Sequence, residues 1–325
     1  MRPLFRALAA VATGALAATL VASPASAVPT QTLNPSKLPR GADIAIPHVE
    51  GKTVVDGSVR ITVDAANVRL LGKSGTAYVV GTSDKNGEGG RVVRLEANGT
   101  ATDLGATSVY ETVLSGDGQT VVSSRTTGGG KTVVKARSAT TGTLVAKQTF
   151  EGYESVLDAQ GTKVVVGGFD GNGTQLWDTA TDTVTLVSKR SGYRADLSLN
   201  LLASFTKDPY DGGCTVLSSI TKPNKRLWQS CADAIVAFST DGSHLALTDI
   251  LSDGIGPNAI TVRNLAGEAV GDYKVNNGWF GELVFESPDT LLLETSGPHK
   301  TATVRCERAD CERASDITKT PSLAG

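Results

Sequence analysis

The chain is poor in the residues from which most recognisable catalytic and metal sites are built. Methionine occurs once, as the first residue, histidine three times, and aromatic residues make up only 5% of the chain. His48, His244 and His299 lie far apart and none adjoins a cysteine, so neither a metal centre nor an acid–base histidine pair is expected. No Gly-x-Ser-x-Gly elbow is present, which removes the commonest serine-hydrolase signature. Charge of neither sign prevails. Lys and Arg number 31 against 33 Asp and Glu, a net charge of −2, which gives no reason to expect nucleic acid or an anionic membrane surface as partner. Beyond residue 27 no apolar run approaches the roughly 18 residues of a membrane-spanning helix, so membrane insertion is not expected. Long runs of strong helix formers are missing as well. What fills the chain is β-branched residues punctuated by glycine turns, an all-β composition.

The first 27 residues read as a cleaved export signal: Arg2 and Arg6, the apolar stretch "ALAAVATGALAATLVA", and the small-x-small site Ala25-Ser26-Ala27. No cysteine follows that stretch and the two arginines are not adjacent, so lipid anchoring and twin-arginine export are not expected. The mature chain is expected to be secreted or extracytoplasmic and monomeric. Residues 28–43, with three prolines, read as an extended leader, and 44–325 as one domain.

That domain repeats. "VLSGDGQTVVSS", "VLDAQGTKVVVGG", "VAFSTDGSHLALTD" and "LVFESPDTLLLET" share one layout, an apolar strand, a tight turn and a second apolar strand. Looser versions are "RLLGKSGTAYVVGT" and "ADLSLNLLASF". Aligning the turns places Gly75, Gly118, Gly161, Leu201, Gly242 and Asp289 in register, at separations of 43, 43, 40, 41 and 47 residues. A second anchor aligns Glu96, Ser138, Asp178, Ile220, Asn264 and Glu307, at separations of 42, 40, 42, 44 and 43. In this alignment Trp177 ends a third strand and Asp178 begins the hairpin to a fourth.

Four short strands in about 40 to 45 residues are the signature of a β-propeller blade. One small meandering sheet cannot bury both its faces, whereas sheets stacked around an axis cover one another and leave only short edges. The units resemble WD40-like and TolB-like propeller repeats of the secreted bacterial type over the whole chain from about residue 44. Only Trp177-Asp178 gives the WD dipeptide and no Gly-His pair opens a unit, while "DGS" and "DGQ" after the first strand look more like the TolB-like variety. The resemblance implies a ring of six or seven four-stranded blades. Six complete units run from about 67 to 316. The hairpin "HVEGKTVVDGSVRITVD" at 48–64, turning at Asp56-Gly57, either completes a seventh blade or lies on the outer edge of the last.

Four cysteines in an exported chain favour two disulfides. Cys214 and Cys231 flank the turn "TKPN" symmetrically, and Cys306 and Cys311 flank "RA", so each pair faces itself across a hairpin, Cys214–Cys231 and Cys306–Cys311. Zinc would require a closer cysteine spacing and neighbouring histidines.

No cofactor and no metal is expected. "TGGGKT" at 127–132 has Arg125 where a phosphate loop needs its first glycine, and it lies between two strands. "SDKNGEGG" and "FDGNG" have the Asp-x-Asn spacing of a calcium loop without its later glutamate, so they read as turns. One constellation stands out. Tyr110, Tyr153 and Tyr193 each precede the aligned turn by eight residues, which places them where an innermost strand begins, at the mouth of the channel. Loops expected on that same face carry Asp170, Asp208, Tyr210, Asp211, Asp249 and Asp253. Such a mouth suits a cation, a sugar or a basic peptide; alternatively the tyrosines seal gaps between blades. With no catalytic set in view, the expectation is a non-enzymatic module that binds a protein or small ligand at the cell envelope or exterior. The rivals are an envelope enzyme, a glycan hydrolase or lyase, with an active site at the channel mouth, and an adaptor of the kind the TolB-like resemblance implies.

Overall fold

The computed structural model describes residues 28–168 and 172–320; the expected export signal and Asp170 lie outside them. Among the described residues twenty-nine short strands make up seven sheets, and two single 3-10 turns lie between strands. A leader strand β1 (Gln31–Leu33) comes first, followed by β2 (His48–Glu50), β3 (Thr53–Asp56) and β4 (Val59–Thr62), which form a three-stranded sheet. The first full blade holds β5 (Asn67–Ser74), β6 (Ala77–Ser83), β7 (Arg91–Leu95) and β8 (Ala101–Ala106). The second holds β9 (Thr112–Leu114), β10 (Thr120–Thr127), β11 (Lys131–Ser138) and β12 (Leu144–Glu151). In the third are β13 (Glu154–Gln160), β14 (Lys163–Gly168), β15 (Thr174–Asp178) and β16 (Thr183–Ser188). The fourth comprises β17 (Ser191–Asp196), β18 (Leu201–Phe205), β19 (Thr215–Ser219) and β20 (Arg226–Ser230). The fifth has β21 (Asp233–Phe238), β22 (His244–Asp249), β23 (Ala259–Asn264) and β24 (Ala269–Val275). The sixth has β25 (Trp279–Phe285), β26 (Thr290–Ser296), β27 (Lys300–Glu307) and β28 (Asp310–Arg313), with β29 (Thr318–Lys319) on the start of β27.

Each blade is an antiparallel meander, and first strands of neighbouring blades run side by side around the channel. The chain is a seven-bladed β-propeller, with 48–62 as the closing blade. Burial grades outward as radial stacking demands. Second strands such as β14 and β18 are almost wholly buried, whereas the outermost β16 is exposed along most of its length. Trp177 is fully buried; its ring meets Phe150 edge-on at 6.5 Å and its Nε1 donates to Asp182 at 3.0 Å.

The repeat is built on two turns per unit. In "SGDGQ" and "STDGS" the same device recurs: Ser115 and Ser239 hydroxyls donate to Asp117 and Asp241, while Gly118 and Gly242 N–H groups bond back to the serine carbonyls. Gly118 has φ +69°, and a Cβ there would meet the Lys73 carbonyl of the neighbouring blade at 2.4 Å. In the fourth blade the left-handed residue is Asn200 (φ 58°), not the aligned Leu201, so the repeat slips there by one residue.

Adjacent blades are tied near the axis. Arg69 donates to the Val109 carbonyl, Gly116 N–H to Ala159, Leu197 N–H to Asp158, the Tyr193 hydroxyl accepts from Ile235 N–H, and His244 approaches the Pro288 carbonyl. Lys73 and Tyr78 both donate to Asp56, tying the closing blade to the first. The sixth is joined to the closing blade through the leader. β1 pairs in parallel with β24, Arg40 bridges to Arg313, and Arg305 donates to the carbonyls of Ala42 and Asp43.

Strand direction identifies what the closing blade contains. The turns that follow first and third strands form one rim; the loops that follow second strands, with the links between blades, form the other, here termed the loop rim. Ala45 N–H bonds Glu286, directly after β25, and Asp56 bonds residues at the β5–β6 turn. The chain therefore enters β2 from the turn rim, and β3 ends there. β2, β3 and β4 run in the directions of second, third and fourth strands, and the closing blade has no innermost strand among the described residues.

Candidate functional site

Tyr110 sits on the 3-10 turn Val109–Glu111 that links the first blade to the second, and Tyr153 on the link between β12 and β13. Both side chains stand in solvent, 78% and 61% exposed. Tyr193 lies on β17 beside a β-bulge, its ring stacked on Phe205 at 4.1 Å and its hydroxyl 3.3 Å from Thr215 Oγ1. The one-residue slip at Asn200 explains the difference. Tyr193 falls in the row of buried Glu154 instead of the row of Tyr153, and a slip of one residue turns a side chain to the other face of a strand. Burial pushes its phenol pKa up. Tyr193 is thus a seal between the fourth and fifth blades, and the row of three tyrosines is divided.

Tyr210 is 68% exposed, on the 3-10 turn Pro209–Asp211 between β18 and β19. Asp208 caps that turn by accepting from Tyr210 N–H at 2.9 Å, and the Tyr210 hydroxyl donates to Asp253 at 2.9 Å across to the loop of the fifth blade. Asp249 accepts from Leu251 N–H at 2.8 Å. Asp208 and Asp249 therefore hold their own loops in shape, and Asp253 ties its loop to that of Tyr210; Asp211 belongs to the Tyr210 turn. The aspartate of "SDKNGEGG", Asp84, is similarly used, accepting from the N–H groups of Asn86 and Glu88 at 2.8 Å each. "TGGGKT" is the hairpin turn between β10 and β11, with Lys131 bonded to Glu151 at 2.8 Å.

Sequence reasoning did not foresee Leu251 and Ile255, 47% and 55% exposed on the loop between β22 and β23. Their signal was present, since the large aliphatic side chains in the Gly- and Asp-rich loop "ILSDGIGPN" have no strand to serve. With Tyr110, Tyr153 and Tyr210 they form an apolar arc on the loop rim over the second to fifth blades. Of eleven exposed large hydrophobic residues among those described, these five lie on that arc.

A second feature is a cavity of about 920 Å³ between the closing blade and the sixth. Its inner walls are β2, the middle of β5, and β25 with β26, and it extends outward past the leader at 40–47, the start of β27 and residues 315–318. Its inner part lies where an innermost strand of the closing blade would run, a row that no strand among the described residues occupies. Val68, Leu70, Val284 and Leu292 line it, together with Glu282 and Glu294. Among the described residues no three histidine, cysteine or carboxylate side chains are grouped to hold a metal ion.

The disulfides are Cys214–Cys231 and Cys306–Cys311, with Cα atoms 4.0 and 4.3 Å apart. Cys306 and Cys311 are direct cross-strand partners, and Cys214 and Cys231 continue the Thr215–Ser230 register by one residue.

No family model matches the sequence, and no curated protein matches it. Solved structures match the fold. The β-propeller domain of the Trilobed protease from Pyrococcus furiosus aligns with TM-score 0.59 at 7% identity, over 81% of this chain and 86% of that one. The β-propeller domain of Myceliophteria thermophila Cps50 (Swd1) aligns with TM-score 0.52 at 12% identity, over 83% and 88%. The WD40 domain of Toxoplasma gondii coronin aligns with TM-score 0.50 at 12% identity, over 78% and 70%. At such identities the likeness is one of fold.

Proposed function

We propose that the protein is a non-enzymatic binding module of the cell envelope or exterior, engaging a protein partner through the apolar arc of its loop rim. The observation that carries this reading is the gathering of Tyr110, Tyr153, Tyr210, Leu251 and Ile255 on one rim. Tyrosine is enriched at protein interfaces because it offers a large apolar body with a polar tip, and a few such anchors carry most of the binding energy. Asp208 and Asp253 support the reading by fixing the Tyr210 loop before a partner arrives, which lowers the entropy lost on binding. Carboxylates committed to turns are poorly placed for acid–base work on a glycan. Two disulfides favour an oxidising compartment and hence export.

The test is a pull-down from envelope and culture-supernatant fractions with immobilised residues 28–325, followed by titration of whatever is captured. Tyr153→Ala combined with Tyr210→Ala is expected to weaken binding more than tenfold, with circular dichroism unchanged. Unchanged affinity in a folded double variant would place the partner site elsewhere.

A further inference from the structure

Six blades carry an innermost strand against the channel, and the closing blade begins instead with β2. The edge of β2 that would pair with such a strand has no backbone partner among the described residues. Glu50 and Thr53 close the β2–β3 turn as a bonded pair, so by alternation the Val49 N–H and carbonyl point away from β3. Val49 lines the cavity. Across from it, Val284 stands 39% exposed although it belongs to an inner strand.

The charges in the cavity are unequally matched. Arg40 pairs with Asp43 and Asp316, Arg60 and His48 lie against Glu50, and Arg69 donates to the neutral Val109 carbonyl, which leaves three arginines against five carboxylates on the lining. Glu294 accepts only the Glu282 N–H, at 3.1 Å, and neither glutamate has a cationic partner among the described residues. The wall formed by the sixth blade thus presents two uncompensated carboxylates beside Val284 and Leu292, and the wall formed by β5 presents Val68 and Leu70.

We propose that this empty inner row is a strand-docking site. An extended segment of another protein, with basic side chains alternating with apolar ones, pairs with β2 and completes the closing blade. Strand addition takes affinity from main-chain bonds and specificity from pockets for alternate side chains. Here apolar side chains of the segment face β5, and Lys or Arg on the opposite side face Glu282 and Glu294. The segment runs antiparallel to β2, in the direction of the other inner strands, of which β5, β13, β17, β21 and β25 are six to eight residues long. The site is separate from the apolar arc of the loop rim, and the two stand or fall independently.

The probe is a fluorescein-labelled octapeptide alternating lysine and valine, titrated by anisotropy into residues 28–325, with a glutamate–valine octapeptide as control. Saturable binding of the lysine peptide alone is expected, weakened at least tenfold by Glu282→Lys with Glu294→Lys, and unaffected by Tyr153→Ala with Tyr210→Ala. Hydrogen exchange on the unsubstituted protein gives a second readout that requires no variant to fold. The Val49 amide should exchange freely alone and become protected when the lysine peptide is added. Absence of saturable binding, binding that survives charge reversal, or a Val49 amide already protected in the free protein would overturn the proposal. The last result would mean that a segment of this chain fills the row.

Discussion

At the residue scale, single carboxylates titrate in opposite directions according to their surroundings. Asp158, on inner strand β13, is mostly buried; loss of hydration pushes its pKa up to about 6, against the pull of the Leu197 N–H bonded at 2.6 Å. Between the ordinary aspartate value near ~4 and about 6, the folded state binds more protons than the unfolded state, so this group lowers stability as pH rises through that window. The change amounts to about 3 kcal/mol. Asp158→Asn keeps an acceptor for Leu197 and removes the charge. Its stability, followed by urea unfolding at pH 4, 5, 6 and 7, is expected to stay flatter than that of the parent between pH 4 and 6; a parallel curve would show that Asp158 is ionised in the fold without cost. Asp178 and Asp241 behave oppositely. Lys163 holds the first, and Ser243 and Ser239 hold the second, at about 2. Their contribution is present above the usual carboxylate range and is lost as pH falls through about 2.

At the scale of elements, each disulfide clamps the hairpin between the third and fourth strands of its blade, where outer strands have a neighbour on one side only. Cys214 and Cys231 are separated by 17 residues in sequence, Cys306 and Cys311 by 5. Loop-closure entropy then gives about 3 kcal/mol for the longer bridge and about 2 for the shorter. Serine double variants measured by thermal unfolding are expected to fall in that order, and the reverse order would contradict an origin in the unfolded chain. Non-reducing peptide mapping should recover both hairpin pairs; a Cys214–Cys306 peptide would not fit the blades. The cysteine spacings carried this pairing in the sequence, because partners in a hairpin are equidistant from its turn. The division of Tyr193 from Tyr153 was not legible in the same way. It depends on Asn200 taking the left-handed conformation in a turn that lacks glycine, which turns Tyr193 toward the Ile235 N–H of the next blade.

At the scale of the whole molecule, the ring is held at one seam by a leader that crosses the outside of two blades. Arg305 is the fastener. Its side chain is 15% exposed and bonds Glu286 at 2.6 and 3.0 Å and Glu312 at 3.1 Å, as well as the carbonyls of Ala42 and Asp43. Burial alone would raise the Glu286 pKa; the Arg305 hydrogen bonds and the Ala45 N–H outweigh it and hold the carboxyl below its ordinary value. Arg305→Ala leaves that carboxylate buried without its cation, a loss of about 3 kcal/mol. The variant is expected to melt roughly 6 to 12 °C lower. A protease should also cut it within residues 34–47 faster than the parent. Equal cutting rates would show that β1 and Arg40 hold the leader without Arg305.

By itself the sequence determined the seven-bladed class to within one blade, the all-β character, the period of about 40 to 45 residues and the disulfide pairs. All of these follow from local periodicity: apolar runs, turn residues and spacings that recur whatever the neighbours do. Tertiary structure alone decided that residues 48–62 form a blade with no innermost strand among the described residues, that the leader fastens the seam from outside, and that a cavity opens where such a strand would lie. Those outcomes depend on the directions in which distant segments meet when the ring closes, and strand direction relative to another blade leaves no imprint on hydrophobic periodicity.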